Sequence, residues 1–303
     1  MNWTQPIQRA QRIDKGSIEY EYREAEYESS PQVPGIFKFV IASEAMSKQT
    51  VIDEYSRQYQ WRSWPIVFDA MPNCDGQTVL DLGCGIGDLA VDLAKRGAHV
   101  IGIDANEDFL QLARRRAIRN AEFHAANLRS FSEPNLKVDG IWSSFTAAYF
   151  PAFDETLSAW AKFLHPGGWI VLTEIDDLFG HKPLSERTRL LLEDYAKDSL
   201  SNSRYDFHMG RKLADALRRA GFVVSDDISL PDTELSFKGA ARPDVLAAWR
   251  SRFDRMNMLR TFCGDEFEAV RDDFLNCLAR EDHRCTANVR CVIAARPISA
   301  THL

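Results

Sequence analysis

Val79-Leu-Asp-Leu-Gly-Cys-Gly-Ile-Gly-Asp-Leu-Ala90 is an apolar run that ends in a glycine-rich turn, and the turn leads into a helical pattern. A second apolar run, His99-Val-Ile-Gly-Ile-Asp104, follows and ends in a carboxylate. Strand, glycine turn, helix, strand and acid is the order of elements around a nucleoside-binding crevice. This order predicts a ligand site where the first two strands end.

Strands and helices continue to alternate on both sides of this stretch. We expect strands at residues 78–82, 100–103, 121–125, 138–143, 169–175 and 289–295, and extended segments at 222–229 and 234–237. Because strands that alternate with helices form parallel sheets, the pattern predicts an α/β fold, a doubly wound sheet with helices on both faces.

The N-terminal segment differs from the rest of the chain. Residues 1–48 are polar and irregular, and Tyr20, Tyr22 and Tyr27 are interleaved with glutamates. Aromatic loops often serve binding, so a lid over the site is one of two interpretations of this segment. The alternative is an arm that packs on the surface or joins two subunits in a homodimer.

The remaining residues, 49–303, predict one domain. Residues 49–71 have an aromatic helical pattern with a break near Pro65. Residues 243–280 have apolar side chains three to four positions apart, which predicts a helical insertion before the last strand.

Composition limits the classes of partner and location. The chain has 303 residues, 45% of them hydrophobic, and a net charge of -7. An acidic balance argues against nucleic acid, since affinity for phosphate backbones comes mostly from Lys and Arg. The six cysteines show no C-x-x-C spacing, so we expect reduced thiols and no metal site. No signal peptide is visible and no apolar run approaches the roughly 18 residues of a membrane span, which favours a cytoplasmic protein without a membrane segment.

The spacing of the glycines distinguishes between cofactors. Counted from Gly83, glycines occupy the first, third and fifth places, and Asp88 occupies the sixth. A dinucleotide turn needs a glycine at the sixth place and a helix start that receives pyrophosphate. The Asp88 carboxylate would repel a pyrophosphate, and no G-x-x-x-x-G-K-[ST] loop is present. The turn therefore favours a nucleoside cofactor without phosphates.

In these motifs the chain resembles the class I S-adenosylmethionine-dependent methyltransferases. The matching residues are Val79-Leu-Asp-Leu-Gly-Cys-Gly-Ile-Gly87, Asp104, Ala126-Asn-Leu128, the strand end at 138–145 and Leu164-His-Pro-Gly-Gly-Trp169. The likeness covers about residues 49–225. It implies a mostly parallel, seven-stranded Rossmann-like sheet with an antiparallel last strand, and S-adenosylmethionine as the cofactor.

The resemblance also implies roles for individual residues. Asp104 would accept hydrogen bonds from the ribose hydroxyls, and Asp81 would orient the glycine turn or reach the cofactor ammonium through water. Asn127, where the family commonly has Asp, would still accept from the adenine amine. Cys84 is a small filler in the turn, and Ser143 would border the methyl-transfer centre. The predicted cofactor-binding residues are Asp81, Gly83, Cys84, Gly85, Gly87, Asp104, Ala105, Asn127, Leu128 and Ser143.

Methyl transfer from a sulfonium is an in-line displacement, so the protein must chiefly align the acceptor and exclude water. A general base is needed only when the acceptor carries a proton at neutral pH. The candidates for a catalytic role are Tyr149, His181 and His208, which follow strand ends or precede a helix near the expected centre.

The acceptor class is predicted from the end of the fourth strand. Ser143-Ser-Phe-Thr146 stands where nucleic-acid N-methyltransferases usually carry [DNS]-P-P-[YF]. The layout is similar to that of small-molecule methyltransferases of ubiquinone and menaquinone biosynthesis and of bacterial secondary metabolism. We therefore expect methyl transfer to an O, N or C atom of a small molecule. The alternatives are a cofactor-binding sensor or assembly protein, and a tRNA or protein methyltransferase.

Overall fold

A computed structural model describes residues 52–298 of the chain. The lid or arm predicted for residues 1–48 lies outside these residues. Within the described range, no helix combines the length and the apolar character needed to cross a membrane.

Strands and helices alternate from the start of the first strand, as the sequence pattern predicts. The strands are β1 (Thr78–Leu82), β2 (His99–Asp104), β3 (Ala121–Ala125), β4 (Val138–Ser144), β5 (Leu164–Asp176), β6 (His181–Lys182), β7 (Val223–Leu230), β8 (Arg284–Cys285) and β9 (Asn288–Ala295). The helices are α1 (residues 52–61), α2 (Trp64–Ala70), α3 (Asp88–Lys95), α4 (Glu107–Arg115), α5 (Phe153–Trp160), α6 (Glu186–Ser201), α7 (Leu213–Arg219), α8 (Pro243–Arg255), α9 (Asn257–Cys263) and α10 (Phe267–Leu278).

The main sheet has seven strands in the order β3-β2-β1-β4-β5-β9-β7. β9 runs antiparallel to both β5 and β7, whereas the other neighbouring strands are parallel. This confirms the predicted doubly wound, Rossmann-like sheet with an antiparallel last strand. The chain goes outward from β1 to β3 and returns to β4 on the other side of β1. A crevice therefore opens at the carboxyl ends of β1 and β4, where ligands bind in such sheets.

Burial explains why the central strands are apolar. Val79, Leu80 and Leu82 of β1 are fully buried, because helices cover both faces of the sheet. Ala90 and Leu93 of α3 supply part of that cover.

Two local expectations differ from the structure. The break predicted near Pro65 lies at residues 62–63, and Pro65 sits in the first turn of α2, where a proline removes no helical hydrogen bond. The extended segment predicted at 234–237 is wrong. Asp232 Oδ1 accepts hydrogen bonds from the backbone N–H of Glu234 and Leu235, at 2.8 and 2.7 Å, and bends the chain into a turn.

The region between β7 and β9 contains the predicted helical insertion as α8, α9 and α10. A two-stranded antiparallel sheet of β6 and β8, which the sequence did not predict, lies beside it. Trp249, Phe253 and Phe274 pack ring against ring in the core of the insertion. Helix α1 is joined to α8 by the buried ion pair of Glu54 with Arg252, whose atoms are 3.1 Å apart.

Candidate functional site

A cavity of about 580 Å³ opens at the carboxyl ends of β1, β2 and β4. Its volume lies in the range of small-molecule sites, roughly 300–1,000 Å³. Helix α1 covers one side and contributes Tyr55 and Gln58, while the α8 end contributes Arg252 and Met256. The cavity thus lies where the topology of the sheet places a ligand.

The glycine turn after β1 forms one wall of the cavity. Gly83 has a φ of +78°, and a Cβ added there would come within 2.0 Å of Thr146 Oγ1. Gly85 has a φ of +53°, and a Cβ there would project into open space, with the Tyr55 ring 3.9 Å away. Gly83 is therefore required for packing against the β4 end, whereas Gly85 leaves room for a ligand beside the backbone.

Asp104, the last residue of β2, holds this turn in place. Its Oδ2 accepts a hydrogen bond of 2.9 Å from the Gly85 N–H, and its Oδ1 accepts one of 2.8 Å from the Asn106 N–H. Burial raises the pKa of Asp104, although these backbone donors act in the opposite direction. Each carboxylate oxygen has a further lone pair, so Asp104 keeps the capacity to accept hydrogen bonds from a ligand.

Asp81 lies beneath the turn and does not line the cavity. Its Oδ2 is buried and has no hydrogen-bond partner among the described residues. Burial and the nearby Asp104 charge raise the pKa of Asp81 to about 7. This carboxyl therefore takes up a proton more readily than an exposed aspartate does, and its oxygen without a partner is suited to a buried water or a cationic group near the turn.

The structure brings most of the predicted cofactor residues to the cavity. The lining includes Gly83, Cys84, Gly85, Asp104, Ala105, Asn127 and Leu128. Burial raises the pKa of the Cys84 thiol well above its usual range. This agrees with a packing role for Cys84 in the turn and not with a nucleophilic role.

Gly87 and Ser143, which the sequence motifs place among the cofactor-binding residues, do not line the cavity. A Cβ on Gly87 would come within 3.0 Å of the Ala113 Cβ and 3.2 Å of the Phe123 ring, so Gly87 lets the turn pack against α4 and β3. The buried Ser143 Oγ donates a hydrogen bond of 2.8 Å to the Leu82 carbonyl and joins β4 to β1.

The β4 end forms the opposite wall and includes residues that sequence reasoning missed. Phe145 has a φ of +55°, an uncommon conformation for a bulky side chain. Its N–H donates to the Thr173 carbonyl at 2.8 Å, and the Arg62 guanidinium lies 3.9 Å above its ring. Such strained residues concentrate at functional sites. No sequence signal identifies Arg62, because it reaches Phe145 from a distant segment.

Of the three catalytic candidates, Tyr149 lines the cavity. It ends a 3₁₀ turn, Ala147–Tyr149, whose Ala148 N–H donates to the buried Glu174 Oε2 at 3.1 Å. The Tyr149 ring packs edge to face against Tyr205, with centroids 4.9 Å apart. These contacts position Tyr149 at the expected acceptor side.

His181 does not lie at the cavity. It is 1% exposed and packs between Trp249 and Phe274, because the insertion covers β6. Its Nδ1 is 3.0 Å from Nε2 of His283. Burial and the nearby His283 lower the pKa of His181 to about 3, so the ring is neutral.

His208 also lies outside the cavity lining. Its Nδ1 is 3.7 Å from Asp176 Oδ1, and its side chain is 40% exposed. The turn that contains His208 directs Tyr205, rather than the histidine, into the cavity.

The side chains present fit a nucleoside cofactor that has no phosphate. Gly85 leaves open space, and Asp104 is a hydrogen-bond acceptor in that space. Asp88 lines the same cavity, and its Oδ1 is 2.6 Å from Arg116 Nη2. Carboxylates at this end suit a ligand with positive charge and disfavour a pyrophosphate.

Comparison with known proteins relates this geometry to one domain family. A model described as a methyltransferase domain matches residues 79–168. A phosphoethanolamine N-methyltransferase of Zea mays is 28% identical over 214 residues, which cover 69% of this chain and 36% of that protein. A ubiquinone biosynthesis O-methyltransferase of Acinetobacter baylyi is 27% identical over 159 residues, which cover 50% of this chain and 65% of that protein.

A solved complex of the Haloferax volcanii Trm112 methyltransferase activator with a methyltransferase shares the fold. Its TM-score is 0.50 at 18% identity, and the match covers 80% of this chain and 91% of that one. This chain spans about a third of the Zea mays relative, so that protein's activity as a whole does not transfer to it. The comparisons confirm the resemblance that the sequence motifs indicated.

Proposed function

We propose that this chain, a class I S-adenosylmethionine-dependent methyltransferase by its domain at residues 79–168, transfers a methyl group to an O, N or C atom of a small-molecule acceptor. One observation carries the proposal. The glycine turn and Asp104 are joined by the Gly85 hydrogen bond and line the same cavity, at the switch point of the sheet.

The cofactor end of the cavity is assigned to the residues around this hydrogen bond. Asp104 would accept hydrogen bonds from the ribose hydroxyls with the lone pairs that Gly85 and Asn106 leave. Ala105 and Leu128 would flank the adenine, and Asn127 would accept from its amine. Asp81 would act through the turn and not by direct contact.

The acceptor end begins at Ser144 and Phe145. When bound, S-adenosylmethionine supplies a methyl group that is already activated on a sulfonium. The protein's own task is to hold the acceptor atom in line with that methyl group and to exclude water, and alignment alone is worth up to roughly 7–11 kcal/mol. Tyr149 is the proposed general base for an acceptor that carries a proton, since it alone of the three candidates lines the cavity.

A small-molecule acceptor is supported by the relatives, whose names refer to phosphoethanolamine and to ubiquinone biosynthesis. A cytoplasmic location is supported by six free cysteines, five of them buried. We also propose that residues 1–48 form an arm and that residues 49–303 form one domain. The arm would join two chains in a homodimer. Deletion of residues 1–48 followed by light scattering tests the dimer.

The experiment for the function uses methyl-labelled S-adenosylmethionine and a fractionated cell extract. We expect release of S-adenosylhomocysteine and label in the small-molecule fraction, both reduced in Asp104→Ala at a subsaturating concentration of the cofactor. Label in tRNA or protein would contradict the acceptor class. Cofactor binding without turnover would favour a sensor or assembly protein.

A further inference from the structure

The acceptor end of the cavity has two arginines on one wall. Arg204 follows α6, Arg129 follows β3, and both line the cavity together with Tyr149 and Tyr205. We call these four residues the arginine wall. The Arg129 Nη2 group donates to the Tyr149 carbonyl, and the Tyr149 ring contacts the Tyr205 ring. Tyr149 therefore links Arg129 to Tyr205, and Arg204 directly precedes Tyr205 in the same lining.

Only some of the hydrogen-bond donors of the Arg204 guanidinium have a partner among the described residues. Its Nη2 pairs with Asp198, but its Nε is buried and has no hydrogen-bond partner among the described residues. A buried donor without a partner is costly, about 1–3 kcal/mol, unless a ligand accepts from it. Ser203, directly before Arg204, has a φ of +55°, so the chain is strained at the point that directs Arg204 to the cavity.

The other two arginines in the lining are neutralised by buried carboxylates. Arg62 Nε is 2.8 Å from Asp232, and Arg252 Nη2 is 2.6 Å from Glu234. These ion pairs lie on the side of the cavity that α1 and α8 form, and their role is structural.

The carboxylates that line the cavity, among the residues that the structure describes, are at the cofactor end. They are Asp88 and Asp104. Arg129 has an ion pair with no described residue, and Arg204 is paired with the single carboxylate of Asp198, which does not line the cavity. The acceptor end therefore has an excess of positive charge.

We propose that the acceptor carries an anionic group, a carboxylate or a phosphate, and that Arg204 binds it with the help of Arg129. Nη2 of Arg204 is held by Asp198, so its Nε–H is the donor left for one oxygen of either group. The apolar part of the acceptor would lie against Phe145, Leu235 and Met256, which line the same space. This inference rests on the proposed function, because it names the substrate class of the same site.

The test begins with S-adenosylhomocysteine, whose binding tests the proposed function separately. The saturated protein is then titrated with benzoate, with phenyl phosphate and with the neutral benzamide. We expect at least one anion to bind more tightly than benzamide, and the better anion distinguishes a carboxylate from a phosphate acceptor. Arg204→Gln should weaken that anion about tenfold or more and leave S-adenosylhomocysteine binding unchanged.

Arg218→Gln is the matched control, since Arg218 also pairs with an aspartate, Asp215, but does not line the cavity. It should change neither affinity. Equal binding of benzamide and the anions, binding of neither anion, or anion binding that survives in Arg204→Gln would each overturn the proposal.

Discussion

The backbone N–H of Gly85 donates a hydrogen bond of 2.9 Å to Oδ2 of Asp104. This bond joins the turn after β1 to the end of β2. The residue that would bind the ribose is therefore also the residue that shapes the turn beside it. A change at Asp104 is expected to affect cofactor binding in both ways.

Asp104→Ala should weaken the binding of S-adenosylhomocysteine by at least about 1.5 kcal/mol, the lower value for a hydrogen bond to a charged group. The reason is the loss of the ribose acceptor together with the Gly85 contact. Titration calorimetry measures the change. Glu122→Gln, on the exposed surface of β3, is the control and should bind as the wild type does. Unchanged affinity in Asp104→Ala would refute the ribose role.

Gly83→Ala should cost more stability than Gly76→Ala. Both glycines have φ near +75°, so alanine at either position carries about 1–2 kcal/mol of backbone strain. At Gly83 the added Cβ also overlaps Thr146, whereas nothing lies within 4 Å at Gly76. Overpacking adds about 1–3 kcal/mol.

The free energy of unfolding in urea measures this difference. Gly83→Ala should also reduce cofactor affinity, because Thr146 and the turn move apart, while Gly76→Ala should not. Equal losses of stability in the two variants would show that the close approach of Thr146 is relieved at no cost.

Tyr149→Phe should separate catalysis from binding. The ring contact with Tyr205 is kept, so the affinity for S-adenosylhomocysteine should stay the same. Turnover of an acceptor that carries a proton should fall by about 10²–10⁴, the usual contribution of a general base. Tyr205→Phe is the comparison and should reduce turnover less. A Tyr149→Phe enzyme with wild-type turnover would exclude the base role.

His181 and His283 should make the protein less stable in acid. Nδ1 of a neutral His283 must donate to the Gly239 carbonyl, 3.1 Å away, so its Nε2 accepts from Nδ1 of a neutral His181. The pKa of His181 falls from 6.5 to about 3, and burial also lowers the pKa of His283. The unfolded chain therefore takes up protons that the folded protein excludes.

The stabilisation by His181 is complete above pH 6.5 and declines as the pH falls from 6.5 towards 3. Between pH 7 and pH 5 this one residue lowers the free energy of unfolding by about 2 kcal/mol. His181→Phe should reduce that pH dependence in urea unfolding, and the exposed His165→Gln should not. Identical slopes for wild type and His181→Phe would contradict the neutral pair.

The sheet and the cofactor end could be predicted because their signals are local. The glycine turn, the acid that ends β2 and the apolar strands each occupy a few consecutive residues, and the structure places β1 and β3 at the expected bounds. The same motifs placed Gly87 and Ser143 among the cofactor-binding residues, whereas the structure places both outside the cavity lining. A motif shows that a residue is near the site but not which way it faces.

The acceptor end could not be predicted in this way. Its walls come from α1, the segment after α6 and the end of α8, which meet only through tertiary contacts such as Glu54 with Arg252. His181 follows a strand end, as many catalytic residues do, but α10 and its aromatic side chains bury it. Arg204 has no motif, and its importance depends on an unpaired Nε that only the structure shows.

The most direct test of the account is a calorimetric titration of the full chain with S-adenosylhomocysteine, followed by the same titration with NAD⁺. We expect one S-adenosylhomocysteine bound per chain and no measurable heat with NAD⁺, because the turn has Asp88 where a pyrophosphate would lie. Binding of NAD⁺, or no binding of S-adenosylhomocysteine, would contradict it.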